Sequence, residues 1–314
     1  MQKLLGFLML IALIYCRPAH SQNDINHYIS LNEKETRLQA FKDSKEIIAL
    51  KLKQVDYINK SRKKHKAPAV ELDILASRMA NQIAQEAVRN KYSGHFNLKG
   101  ESPYIRFANC GGTDHVAENA AAASYSQPIE PTSQNISYNM QMLHNAFMAE
   151  KAPNNGHKKT CIEQSHNYIG IGYATQDNEF RYYEEYLDRY LIFKRFNSET
   201  TPKKELKLTF KPIRKGDIPY FIIVYQQPVP QPMTSGQIEQ TESYCDYTDS
   251  EVLNLGPWEI PEPDGDGFTT LTLNFEKKGY YYVQIFLSDT PHKKGAEAST
   301  KGKTQASGVV IRVK

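Results

Sequence analysis

The hydrophobic pattern of this 314-residue chain changes period near residue 200, and no fold of a single class survives that change. Ahead of it the spacing is helical. Between Glu71 and Asn90, Leu72, Leu75, Met79, Ile83 and Ala87 form one stripe, while Arg78, Gln82, Gln85 and Arg89 face away. A highly charged stretch from about Lys34 to Lys64 places Leu52, Val55 and Ile58 at three-residue steps, and Ala67-Pro68 ends it. A third helix is predicted from about Asn135 to Glu150, with Met140, Leu143, Phe147 and Met148 as its apolar side and Pro153 and Gly156 beyond its end. Two strands follow, Asn167 to Thr175 and Phe180 to Tyr190, joined by the turn-like Gln176-Asp177-Asn178-Glu179. After Thr200 the helical periods stop. Short β-rich runs take over at Glu205–Phe210, Tyr220–Tyr225, Thr269–Phe275, Tyr280–Leu287 and Val309–Val313, separated by Pro and Gly clusters.

The fold class expected is therefore α+β, followed by a small immunoglobulin-like β-sandwich. Four segments are expected: a signal peptide at 1–21, a polar or helical segment at 22–45, an α+β domain at 46–196 and the β-sandwich at 203–314. The signal is legible in Lys3, the apolar run Leu4 to Tyr15 and the small residues of Ala19-His20-Ser21, with cleavage before Gln22. The apolar run is short for a bilayer, and no later segment is long and apolar enough to cross one. Secretion into a periplasmic or extracellular space is the expectation. Removing 1–21 takes away Lys3 and Arg17 and no acid, so a formal charge of +4 becomes +2. So even a balance excludes a nucleic-acid surface.

Chemistry concentrates in four side chains. His95 and His157 each follow a glycine in a loop, Glu118 lies at the edge of an alanine run, and Glu150 closes the third helix seven residues before His157. Two imidazoles bind a divalent cation, and carboxylates orient imidazole rings or water. Convergence of the four does not follow from spacing alone.

The order of these pieces resembles the CAP superfamily of cysteine-rich secretory, antigen 5 and pathogenesis-related proteins, especially its bacterial SCP-like members. The segments that carry the resemblance cover about residues 48 to 192. Val55-Asp56-Tyr57-Ile58-Asn59-Lys60-Ser61-Arg62 is similar to the family's opening helix with its N-x-x-R ending. Leu72 through Met79-Ala80 to Ala87 resembles the second helix, and Ser93-Gly94-His95 the first histidine motif. Gly100-Glu101-Ser102-Pro103-Tyr104-Ile105-Arg106 resembles G-x-S-P-x-x-R. Ala117-Glu118-Asn119-Ala120 resembles the G-E-N-x-A box, with Ala for Gly. Phe147-Met148-Ala149-Glu150 resembles W-x-x-E, with Phe for Trp. Gly156-His157 and Ile169-Gly170-Ile171-Gly172 resemble G-H … V-G-x-G. The resemblance implies an α-β-α sandwich and a cleft formed by His95, Glu118, Glu150 and His157. His166 is a rival for the second histidine, His115 is expected to be exposed, and His144 to be structural.

With Cys16 lost in the signal, three cysteines remain. Cys110 and Cys161 flank the expected cleft and are expected to pair as a disulfide, leaving Cys245 over; three unpaired thiols are the alternative. The function expected is a secreted, non-catalytic binding module. Its cleft would take a divalent cation, zinc on the two histidines His95 and His157, and a lipid or other small ligand. Its β domain would attach it to a partner or to the cell envelope. The alternative is a metal-dependent peptidase or esterase with Glu118 or Glu150 as general base, although the chain has no H-E-x-x-H helix and no G-x-S-x-G elbow.

Overall fold

The computed structural model describes residues 24–314, except residues 242, 245–250 and 294. The expected signal at 1–21, Cys16 and Cys245 lie outside the described residues.

The first half runs α1 (Ile25–Lys34), α2 (Lys45–Lys64), β1 (Glu71–Leu72), α3 (Ile74–Arg89), α4 (Pro103–Asn109), β2 (His115–Ser124), α5 (Ser133–Ala149), α6 (Gly156–Ile162), β3 (Tyr168–Gln176) and β4 (Glu179–Asp188). Side-chain caps set the helix starts. Asp24 caps α1, and the Ser44 hydroxyl accepts the Ile47 N–H, so α2 begins at Lys45 and not near Lys34. Asp73 caps α3 through the Ala76 N–H, which frees Glu71–Leu72 to pair in parallel with Tyr168–Ile169.

The four strands are ordered β1-β3-β4-β2, which leaves β2 at an edge. Alternation along β2 and β4 separates two faces. Val116, Glu118, Tyr183, Glu185 and Leu187 face α3 and α4, while Asn119, Ala121, Tyr182, Glu184 and Tyr186 face α2, α5 and α6. The result is an α-β-α sandwich. Arg78, expected on an outer face of α3, is wholly buried instead. The α1 segment covers it, and its guanidinium donates to the carbonyls of Asn32, Glu35 and Arg37.

Helix α3 lies directly on β3. A Cβ added to Gly172 would stand 2.1 Å from the carbonyl carbon of Ala80, and one on Gly170 2.4 Å from that of Ala76. The Ile-Gly-Ile-Gly run thus exists to let helix backbone touch strand backbone. Gly172→Ala is expected to lower stability by about 1–3 kcal/mol through this overpacking. A urea midpoint equal to wild type would show that α3 can move off the sheet at no cost.

The second half contains β5 (Leu191–Phe193), β6 (Glu199–Thr200), β7 (Leu206–Pro212), β8 (Ile218–Gln227), α7 (Ser235–Glu239), β9 (Glu251–Leu255), β10 (Thr269–Leu273), β11 (Gly279–Ser288), β12 (Thr304–Gln305) and β13 (Val309–Val313). One sheet is β10-β7-β5; the other is β6-β13-β11-β8-β9 with β12 against β11. Leu208, Phe210 and Leu271 of the first meet Ile222, Val283, Ile285 and Ile311 of the second in one core, which makes this half a two-sheet sandwich. The opposite side of β11 is not solvated. Tyr280 and Tyr282, with Val310, pack on Leu75, Met79, Tyr104 and Phe107 of α3 and α4, and Tyr282 stacks on Tyr104 at 4.4 Å. The halves therefore share a core. The Asp264-Gly265-Asp266-Gly267 segment is a turn in which the Asp264 carboxylate accepts the N–H groups of Asp266 and Phe268.

Candidate functional site

His95, Glu118, Glu150 and His157 line one cleft of about 380 Å³, together with Asn119, Asn154, Gly156, Thr160, Ser243 and Tyr244. It straddles the edge strand. Glu118 reaches it from the α3–α4 face of β2, and Glu150 and His157 come from the end of α5 and the start of α6. Each carboxylate holds one ring by the same nitrogen: His95 Nδ1 lies 2.8 Å from Glu118 Oε1, and His157 Nδ1 2.5 Å from Glu150 Oε1. The nitrogen left to a ligand is therefore Nε2 in both rings. The ring centroids are 6.2 Å apart. Zn–N bonds of about 2.0–2.1 Å put the centroids of two ligating imidazoles about 5–6 Å apart, so a small approach of the two rings would let both hold one ion.

Behind His95 lies a charge cluster that the sequence did not disclose. Arg106, from the first helical turns after Ser102, pairs with Glu118 and donates to the His95 carbonyl, and it lies 3.6 Å from Glu185. Burial would push the Glu118 carboxyl up, but Arg106 and the His95 hydrogen bond outweigh it and hold the group below the usual carboxylate range. Glu185 is equally buried, and neither of its oxygens has a hydrogen-bond donor. Burial, and then the Glu118 charge, push it far above the usual range, which favours the protonated carboxyl. The recognisable sign was Arg106 itself, the last residue of the Gly100–Arg106 stretch.

The other histidines lie elsewhere. His166 is buried with Nδ1 2.7 Å from Asp188, and does not reach the cleft. His115, expected to be exposed, is 21% exposed and bonds the second oxygen of the same Asp188. Both sit at the far end of β4. A groove of about 880 Å³ between α1, the start of α3 and β5 contains none of the four cleft residues.

His144, Cys161 and Glu184 form a second group, wholly buried on the α5–α6 face. Their ligand atoms lie within 4.8 Å of one another, a spacing that could hold a metal ion. Glu184 accepts from His144 Nδ1 at 2.8 Å, from Tyr182 at 2.7 Å and from Tyr186 at 2.9 Å, with the Cys161 thiol 3.6 Å away, while His144 Nε2 has no hydrogen-bond partner.

The expected Cys110–Cys161 disulfide is not formed; both are free. Cys110 caps α4 on one face of the sheet, and Cys161 lies in α6 on the other. A disulfide needs Cα atoms within about 7 Å, and an intervening sheet forbids that. Burial pushes the Cys110 thiol up to about 11 and Cys161 higher still, so both stay protonated.

Residues 55–186 match the model of CAP, the cysteine-rich secretory protein family. An extracellular protein containing an SCP domain from Bacillus anthracis str. Ames is 17% identical, with a TM-score of 0.34, over 44% of this chain and 39% of that one. An outer surface protein from Borrelia burgdorferi is 20% identical, also at 0.34, over 43% of this chain and 89% of that one. This chain thus spans less than half of the Bacillus protein. Among curated proteins none matches. No helix among the described residues is long and apolar enough to cross a membrane.

Proposed function

We propose that the protein is an exported, non-catalytic binding module. Its CAP cleft holds a divalent cation between His95 and His157, zinc by the chemistry of two imidazoles, and its β half also serves to attach it to a partner or the envelope. The observation that carries this reading is the matched pair of carboxylate-oriented rings, which leave both Nε2 atoms unengaged by those carboxylates and whose centroids lie 6.2 Å apart. Water would complete the coordination shell when the ion is bound.

Two features weigh against a hydrolase. Glu118 is wholly buried and engaged by both Arg106 and His95, and Glu150 is engaged by His157 and the Lys158 N–H. Both carboxylates are thus engaged in holding the rings.

Zinc is expected to raise the melting temperature of the wild-type protein, by the equivalent of about 2.7 kcal/mol at a hundredfold excess over Kd. A chelator reverses the shift, and His95→Ala with His157→Ala abolishes it. A shift that persists in that double variant would move the ion to another group, His144–Cys161–Glu184 first among them.

A further inference from the structure

The cleft is not built by the first half alone. Residues 231–241, which follow β8, cross to the CAP domain and lie along the loop that carries His95. Ile238 of α7 is wholly buried in a core cluster with Ala80, Ile83, Ala84 and Val88 of α3. The Met233 N–H donates to the Leu98 carbonyl at 3.0 Å, and Ser235 Oγ to that of Asn90 at 3.1 Å. The loop is shaped to receive this strap. Gly100 has φ +74°, and a Cβ there would stand 2.1 Å from the Gln231 oxygen. Gly94 has φ +150°, and its Cβ would stand 2.8 Å from Ile238 Cγ2. Only glycine meets both demands.

Beyond the strap, Tyr244 enters the cleft. Its hydroxyl accepts the Glu118 N–H at 2.8 Å and lies 3.4 Å from the Glu118 carbonyl, to which it donates. Its ring centroid is 4.7 Å from that of His95. Two consequences follow. The His95 side chain is 14% exposed, against 35% for His157 across the same cleft. And β2 is an edge strand, whose outward N–H and C=O groups are what an added peptide strand would pair with. At Glu118 the phenol occupies both.

We propose that Tyr244 is the specificity-determining residue of the cleft: a wall supplied by the C-terminal half, which lets an ion reach the histidines and excludes a chain segment from His95 and from the edge of β2. The proposal rests on reading the cleft as a binding site, but the occlusion itself can be measured without any ligand.

The test is the rate at which diethyl pyrocarbonate modifies His95, followed by peptide mass analysis of the full chain with His157 as internal reference. Tyr244→Ala is expected to speed modification of His95 severalfold and leave His157 unchanged. Tyr244→Phe keeps the ring and is expected to match wild type at His95. If Tyr244→Ala lowers the melting temperature enough to blur the result, Tyr244→Leu keeps an apolar side chain at the seam and still removes the ring. Equal His95 rates in wild type and the ring-removing variant overturn the proposal. Zinc titration of the same proteins separates it from the cation reading. Faster His95 modification in a protein that binds no zinc leaves the occlusion standing and removes the cation. Zinc binding with equal His95 rates does the reverse.

Discussion

Arg106→Ala is expected to lower the free energy of unfolding by about 3–5 kcal/mol, the cost of stripping one partner from a buried ion pair. The guanidinium is 5% exposed and is the cation nearest both Glu118 and Glu185. Without it Glu118 loses its charged partner, and the carbonyls of His95 and Glu101 each lose a donor. The effect should be strongly non-additive. In Glu118→Ala, Glu185 is placed to ionise and take over Arg106, so that single variant should cost less than Arg106→Ala. The double variant should be more stable than the sum of the singles predicts, because no unpaired charge is left. Urea unfolding of the four proteins closes the cycle. A sum that adds within about 0.5 kcal/mol would mean that Arg106 and Glu118 do not act as a unit. The same unit reaches the cleft: in Glu118→Ala, His95 is no longer held by Nδ1, and zinc affinity should fall by about 10- to 100-fold, as when an outer-shell partner is removed.

The sequence was most legible where local rules decide the outcome. The stripe on α3, the hairpin of β3 and β4, and the β texture after Thr200 needed only periodicity and turn residues, and all three stand in the structure. β2 was hidden, because His-Val-Ala-Glu-Asn followed by four alanines carries little strand signal; it is a strand because β4 pairs with it for ten residues. Helices α4 and α6, seven residues each, are too short to show a period. The four cleft residues could be picked out one at a time, by glycine-flanked histidines and carboxylates near helix or strand ends. Tyr244 could not, because what makes it a cleft residue is the crossing of residues 231–241 from the other half, a contact across more than a hundred positions. Glu185 failed for a related reason. In Phe-Arg-Tyr-Tyr-Glu-Glu-Tyr, consecutive glutamates resemble a solvated edge, yet each faces a different buried layer of the sandwich. The disulfide went wrong because cysteines on either side of a cleft in sequence were also on either side of a sheet in space.

Glu185→Gln is expected to stabilise the protein at pH 8 and to do little at pH 4. Burial and the neighbouring Glu118 raise the folded-state pKa of Glu185 well above the usual range. The unfolded chain ionises this group at about 4.3, so above that pH folding must take up a proton. Glu185 therefore contributes most below its unfolded pKa, and the contribution is lost as pH rises toward the folded value, at up to about 1.4 kcal/mol per pH unit. Glutamine has nearly the same shape, donates to Glu118 without titrating, and escapes that loss. Asp114, pushed up to about 6 chiefly by burial, gives the same sign of pH dependence. It is present in both proteins and cancels in their difference. The measurement is the gap in melting temperature between variant and wild type from pH 4 to 8. A gap that opens steadily with pH establishes the buried proton. A gap constant across the range, or one that opens toward acid, would mean that Glu185 is ionised in the folded protein and that Arg106 serves two carboxylates at once.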